Sequence, residues 1–221
     1  MPSFTYIDIH THRPRFESNI FSIQNLQRDF QQYNSLFYYS AGIHPRFINE
    51  QTIDEDYILL KKSLLSDHFL AIGECGLDRL SDTPFHTQEK IFARQIQIAN
   101  ELAKPLLIHC VRAHREVIQL LNDHRVNVPV IFHGFNNKYD FAKQILDQGY
   151  YLSFGKSITN PIVQQTFLKL PADKLFMETD AGPLDIETIY QHASQLRQIS
   201  LYDWQLQIRQ NFIDIFPNLP A

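Results

Sequence analysis

The chain has 221 residues, 44% of them hydrophobic and 20% charged, a globular balance that excludes a disordered chain and leaves room for one α/β domain or two small ones. A net charge of −4 excludes a surface that coats nucleic acid broadly, but not an enzyme that grips one nucleic-acid end. Two cysteines, Cys75 and Cys110, exclude a disulfide framework and fit a reducing compartment, the cytoplasm.

Seven short apolar runs predict buried strands: Phe4–His12, Leu36–Ile43, Phe69–Gly76, Pro105–Cys110, Val128–Gly134, Tyr150–Gly155 and Leu175–Asp180. The stretches between them carry helical spacing. Ile53, Tyr57, Leu60 and Leu64 share one helix face, as do Phe92, Ile96, Ala99 and Ala103. Trp204, Ile208, Phe212 and Ile215 repeat the pattern near the C-terminus. This alternation is the βα repeat of a parallel α/β fold, and with no linker in sight it predicts a single domain over 1–221. Seven strands are one short of a (β/α)8 barrel, and the period alone leaves a doubly wound sheet open as well. Residues 184–221 read as helices, so a barrel is expected to be distorted or shortened at its C-terminal end. No apolar run reaches the roughly 18 residues of a membrane span. Met1-Pro2-Ser3-Phe4-Thr5-Tyr6 lacks the basic start and long apolar stretch of a signal peptide.

Five of the runs end on a His, Glu or Asp. In Ile7-Asp8-Ile9-His10-Thr11-His12, a period of two puts Asp8, His10 and His12 on the face opposite the isoleucines. Gly73-Glu74, Ile108-His109, Phe132-His133 and Glu178-Thr179-Asp180 close the others. Parallel α/β folds gather the C-terminal ends of their strands at one mouth, and imidazole and carboxylate are ligands for divalent cations. A single His-x-His is weak evidence; five strand ends finishing this way are a metal site. The same period turns Cys75 and Cys110 away from Glu74 and His109, into packing. Glu178, on the face of Asp180, and Asp78, near Glu74, either orient a ligand or carry a hydrogen bond within the barrel layers.

Seven short motifs then come in order: His10-Thr11-His12, Gly42-Ile43-His44-Pro45, Gly73-Glu74-Cys75-Gly76-Leu77-Asp78, Pro105-Leu106-Leu107-Ile108-His109, His133-Gly134-Phe135, Ser153-Phe154-Gly155 and Glu178-Thr179-Asp180. From about residue 6 to residue 183 the chain resembles the TatD family of metal-dependent hydrolases, within the amidohydrolase-like TIM barrels. The resemblance implies a (β/α)8-type TIM barrel with one or two divalent cations (Mg2+, Mn2+ or Zn2+) and deoxyribonuclease activity, often at a 3′ end. It implies that His10, His12 and Asp180 bind one cation, that Glu74 bridges, and that His109 and His133 bind the second. It also sets His44 beside the substrate, with Arg112 and Lys156 as candidate phosphate contacts.

The chain departs from the family pattern at several points. Arg112 stands three residues after His109 rather than two, Asn137 replaces a glycine, Gly182 is inserted before Pro183, and Arg79 replaces an aromatic. The C-terminal third is short.

The ligand chemistry predicts a hydrolase acting through a metal-activated water, which the resemblance makes a phosphodiesterase, with Asp180 as general base, Glu74 holding the metals and the leaving oxygen stabilised by a metal or by a protonated His44. The resemblance implies a nucleic-acid end as substrate, DNA more than RNA. The alternative is the same centre hydrolysing a small amide, ester or lactone, which needs a closed pocket rather than a groove.

Overall fold

A computed structural model describes residues 4–28, 30–217 and 219; Met1, Pro2 and Ser3 of the N-terminal segment read above lie outside the described residues. The elements in chain order are β1 (Tyr6–Thr11), β2 (Ile20–Leu26), β3 (Tyr38–Ala41), α1 (Ile53–Leu64), β4 (Phe69–Asp78), α2 (Phe85–Leu102), β5 (Leu106–Val111) and α3 (His114–Asp123). They continue with β6 (Val130–Phe132), α4 (Tyr139–Leu146), β7 (Tyr151–Phe154), α5 (Pro161–Lys169), β8 (Leu175–Met177), α6 (Ile186–Arg197) and α7 (Leu201–Ile215). The strands form one sheet in chain order, β1 to β8. The pairs β3–β4, β4–β5, β5–β6 and β7–β8 run parallel.

The seven predicted runs are all strands, and the eighth strand is β2, not a segment of the tail. Ile-Phe-Ser-Ile-Gln-Asn-Leu alternates between half-buried and buried positions, with Phe21, Ile23 and Asn25 inward. Three of its seven residues are polar, so it has no continuous apolar run. Among the described residues no α-helix separates β1 from β2 or β2 from β3, so the βα period that reveals the other strands is absent there. Residues 184–221 hold α6 and α7, as their spacing predicts. The expected distortion at the C-terminal end of the barrel is seen at the last strand. β8 is only three residues long, but Thr11 and Asp180 form a parallel bridge. Asp180 N–H donates to His10 O (2.9 Å) and His12 N–H donates to Asp180 O (3.4 Å), so backbone pairing ties β8 to β1.

Contacts gather into two compact units, residues 1–23 with 133–221 and residues 24–132. The first is built on aromatic packing. Phe154 meets Phe167 at 5.2 Å, Phe167 meets Trp204 at 5.8 Å, and Phe21 meets Phe212 at 4.9 Å, all edge-on. The Tyr190 hydroxyl, fully buried, donates to Ile7 O (2.9 Å) and accepts from Ile7 N–H (3.1 Å), docking α6 on β1. Both tail helices start on capping residues: Asp185 accepts from Thr188 N–H and Ser200 from Asp203 N–H.

The second unit packs α1 and α2 against β4, with Leu60, Leu64, Phe92 and Ile96 fully or almost fully buried. β4 is the longest strand, and its register against β5 shifts between Ile72 and Cys75. Such a bulge re-aims a side chain, and Glu74 sits in it. Gly76 pairs with His109 across this ladder at φ +136°, and a Cβ there would collide with the His109 carbonyl oxygen.

Candidate metal centre

In the first unit the main chain holds the ligands. His10, the fifth residue of β1, is fully buried; His12 stands just past the strand end. The β1–β8 bridge brings Asp180 to them: Asp180 Oδ1 lies 3.2 Å from His12 Nε2 and 3.7 Å from His10 Nε2. Ligand atoms of His10, His12 and Asp180 all lie within 4.8 Å of one another. Asp180 has φ +51°, a left-handed conformation that Asp tolerates better than most residues and that the two bridge hydrogen bonds hold. Burial pushes the Asp180 carboxyl up, but hydrogen bonds from His10 and His12 and the nearby charge of His10 and His133 outweigh it and hold it well below the usual carboxylate range.

Beneath this group Asp8 is fully buried. It accepts from Thr179 N–H (2.9 Å) and Thr179 Oγ1 (2.6 Å), fixing the residue before Asp180. Burial pushes Asp8 up to about 7, against the hydrogen bonds from Thr179 and the charge of Arg15.

His133 belongs to the same unit. Its ring lies 4.4 Å from that of His10, and its Nδ1 lies 3.6 Å from Glu178 Oε1. Glu178 Oε1 also accepts Gly134 N–H at 2.7 Å, so this carboxylate orients the turn that carries His133. His133 stands outside the tight groups of ligand atoms among the described residues.

In the second unit side chains hold the ligands. His44, Glu74 and His109 present atoms within 4.8 Å of one another. Asn25 on β2 grips Glu74 twice, donating from Nδ2 to Glu74 Oε2 (3.0 Å) and accepting Glu74 N–H at Oδ1 (2.9 Å). Ser40 Oγ donates to the same Asn25 oxygen, and Gln27 Nε2 reaches Glu74 Oε2 at 3.4 Å. His109 sits between two carboxylates, Nε2 at 3.1 Å from Asp78 Oδ2 and Nδ1 at 3.8 Å from Glu74 Oε1. Arg46 donates to Asp78 from the other side, and Leu80 N–H completes the shell. Burial pushes the Asp78 carboxyl up, but the hydrogen bonds from Arg46, Leu80 and His109 prevail and lower it.

His44 differs from the other histidines. Its Nδ1 accepts Arg46 N–H at 3.0 Å, which leaves the proton of the neutral ring on Nε2. A ring nitrogen that carries a proton is a donor, not a ligand.

The remaining candidates fall on surfaces. Arg112 is exposed beyond β5 at φ +54°. Lys156 is exposed after β7, and its side chain crosses the turn behind Asp180: a Cβ on Gly182 would stand 3.5 Å from Lys156 Cδ and 2.9 Å from Thr179 O. The inserted glycine thus lets this turn close under a lysine. Cys75 Sγ packs 3.8 Å from Leu107 O, in keeping with a structural role. Asn25, Gln27 and Arg46 were not foreseen. Asn25 at an inward position of an alternating strand was the one available sign.

The two sets of donors, imidazole nitrogens and carboxylate oxygens on strand ends and supported by further carboxylates and amides, fit divalent cations. The family model described as TatD related DNase matches residues 16–217. The chain belongs to this family. An uncharacterized metal-dependent hydrolase of Buchnera aphidicola from Acyrthosiphon pisum is 32% identical over 175 residues, covering 74% of this chain and 64% of its own length. A Citrobacter rodentium protein named 3'-5' ssDNA/RNA exonuclease TatD is 30% identical over 171 residues, again 74% and 64%. The chain therefore spans just under two thirds of either relative. The crystal structure of YJJV, a TatD homolog from Escherichia coli, superposes with a TM-score of 0.83 over 100% of both chains at 21% identity. This likeness and the eight-stranded order show the (β/α)8-type barrel of the TatD family.

Proposed function

We propose that this TatD-family protein is a divalent-metal-dependent hydrolase that cuts phosphodiester bonds at a nucleic-acid end, DNA rather than RNA. Residues 1–221 would work as a single hydrolase domain, since one family model runs through both units. The observation that carries the reading is the triad at the β1–β8 bridge, where a carboxylate held ionised meets two imidazoles.

His10, His12, Glu74, His109, His133 and Asp180 would hold one or two cations, Mg2+, Mn2+ or Zn2+. His10 and His109 lie in the C-terminal halves of β1 and β5, His12, His133 and Asp180 lie beyond the ends of β1, β6 and β8, and Glu74 sits in the bulge of β4; barrel enzymes build their sites on the C-terminal face. A bound cation supplies Lewis acidity toward water and the phosphoryl oxygens.

The rest falls to the chain. Asp180 accepts the proton that water loses as its oxygen bonds to phosphorus. The bond from phosphorus to the departing 3′ oxygen breaks, His44 Nε2–H donates a hydrogen bond to that oxygen, and the oxygen takes its proton from solvent. Asp78 and Glu178 hold the rings of His109 and His133 in register. Lys156 and Arg112 are candidate phosphate contacts. No helix among the described residues is long and apolar enough to cross a membrane, and the two unpaired cysteines suit the cytoplasm.

The test is turnover of an end-labelled single-stranded oligonucleotide by purified protein with Mg2+ or Mn2+, beside a panel of esters and lactones. Metal-dependent loss of terminal nucleotides is the expected result. Hydrolysis of the panel with the oligonucleotide intact would replace this reading by the small-molecule one.

A further inference from the structure

A cavity of about 440 Å3 opens beside His44, within residues 24–132. Its size suits a single small ligand group. One wall is Phe47, 40% exposed, with its ring 5.1 Å from that of His44; the His44 ring in turn lies 4.3 Å from His109. The Arg28 guanidinium sits over Phe47 at 5.4 Å from the ring centre. The wall toward Glu74 is Gln27, which reaches Glu74 Oε2. Gln31, Gln32 and Asn49 complete a rim of amides.

The lining says what enters. Among the described residues Arg28 is the one cation and Asp56 the one acid that line the cavity, and Asp56 accepts from Thr52 Oγ1. A phosphate cluster would need more positive charge. An aliphatic acyl group would have no use for four amides. Amides present a donor and an acceptor side by side, as base edges do, and an exposed aromatic ring under a guanidinium is a stacking platform.

We propose that this cavity is a nucleobase subsite, in which the base of the terminal nucleotide stacks on Phe47 and meets the amide rim while its phosphate lies toward His44. The inference rests on the nucleic-acid reading above and deepens it. Because stacking is sequence-tolerant, the subsite selects for the presence of a base rather than for one base.

Two measurements test it with the metal-loaded protein. The first compares an oligonucleotide ending in a normal nucleotide with one ending in an abasic nucleotide that keeps the phosphate. The parent should show a KM about 10- to 100-fold higher for the abasic end. Phe47→Ala should lose that preference, by raising KM for the normal end alone with little change in kcat, and Phe47→Trp should keep it. The second follows quenching of a terminal 2-aminopurine on binding, with cleavage blocked by a phosphorothioate end; Phe47→Ala should abolish the quenching.

Cleavage without discrimination between the two ends overturns the subsite and leaves the nuclease reading standing. No cleavage, but quenching that depends on Phe47, supports the subsite and removes the nuclease reading. Neither cleavage nor quenching overturns both.

Discussion

The two ligand groups are built in opposite ways. His10, His12 and Asp180 are set by backbone: β1 delivers two of them, and the Thr11–Asp180 bridge delivers the third. Glu74 and His109 are set by side chains: Asn25, Gln27 and Ser40 around the glutamate, Asp78 and Arg46 behind the histidine. A backbone-set ligand survives loss of its neighbours, because strand pairing still places it. A side-chain-set ligand does not, because its rotamer is fixed only by partners. The first group should thus be sensitive at the ligands alone and the second at a wider ring of residues.

The largest effect should come from Glu74→Gln. It removes a ligand charge and leaves the Asn25 amide facing another amide. Metal content and turnover should fall together, turnover by at least about a thousandfold. Elemental analysis and kinetics on one preparation check this.

Asp180→Asn should behave differently. Backbone pairing still places the residue, so most of the metal should remain, while kcat falls at least about a hundredfold from loss of the proton acceptor. A variant within a few-fold of the parent rate would remove Asp180 as the base.

Support residues sharpen the contrast. Asn25→Ala should weaken metal affinity by about 10- to 100-fold through Glu74 alone, as such outer partners typically do. Metal titration by calorimetry reads it. If Glu178→Ala, acting on His133 in the first unit, costs more affinity than Asn25→Ala, the backbone-versus-side-chain distinction fails.

The smallest effect should be at the cysteines. Burial pushes Cys110 up to about 12 and also raises Cys75. At pH 8 the Cys110 thiol is then almost wholly un-ionised. Ellman's reagent should find both thiols slow in the native protein and fast in denaturant. Cys110→Ala should change metal affinity by no more than about twofold. A fast native reaction would mean that β5 is less tightly packed than described.

The strand ends were legible because each ligand closes an apolar run, and a period of two assigns the face. Those signals are local and survive without partners. β2 was not legible: Ser22, Gln24 and Asn25 break its apolar run, and among the described residues no α-helix flanks it. With β2 hidden, so was Asn25, whose meaning lies in Glu74, 49 residues away in the chain. Arg46 likewise reads as a surface charge until Asp78, 32 residues on, lies beside it.

By itself, then, the sequence determined the βα repeat, the nitrogen and oxygen donors at the strand ends, and the packing role of the cysteines. Each of these follows from residue type and periodicity within a few positions. Only the tertiary structure decided that the last strand is tied back to the first, that Asn25 rather than a nearer residue secures Glu74, that His44 carries its proton on Nε2, and that Arg28 and Phe47 share a cavity. Those facts depend on which distant segments become neighbours. That is settled by burial of the whole core and by the pairing of backbone groups that cannot be left unsatisfied, not by any single stretch of chain.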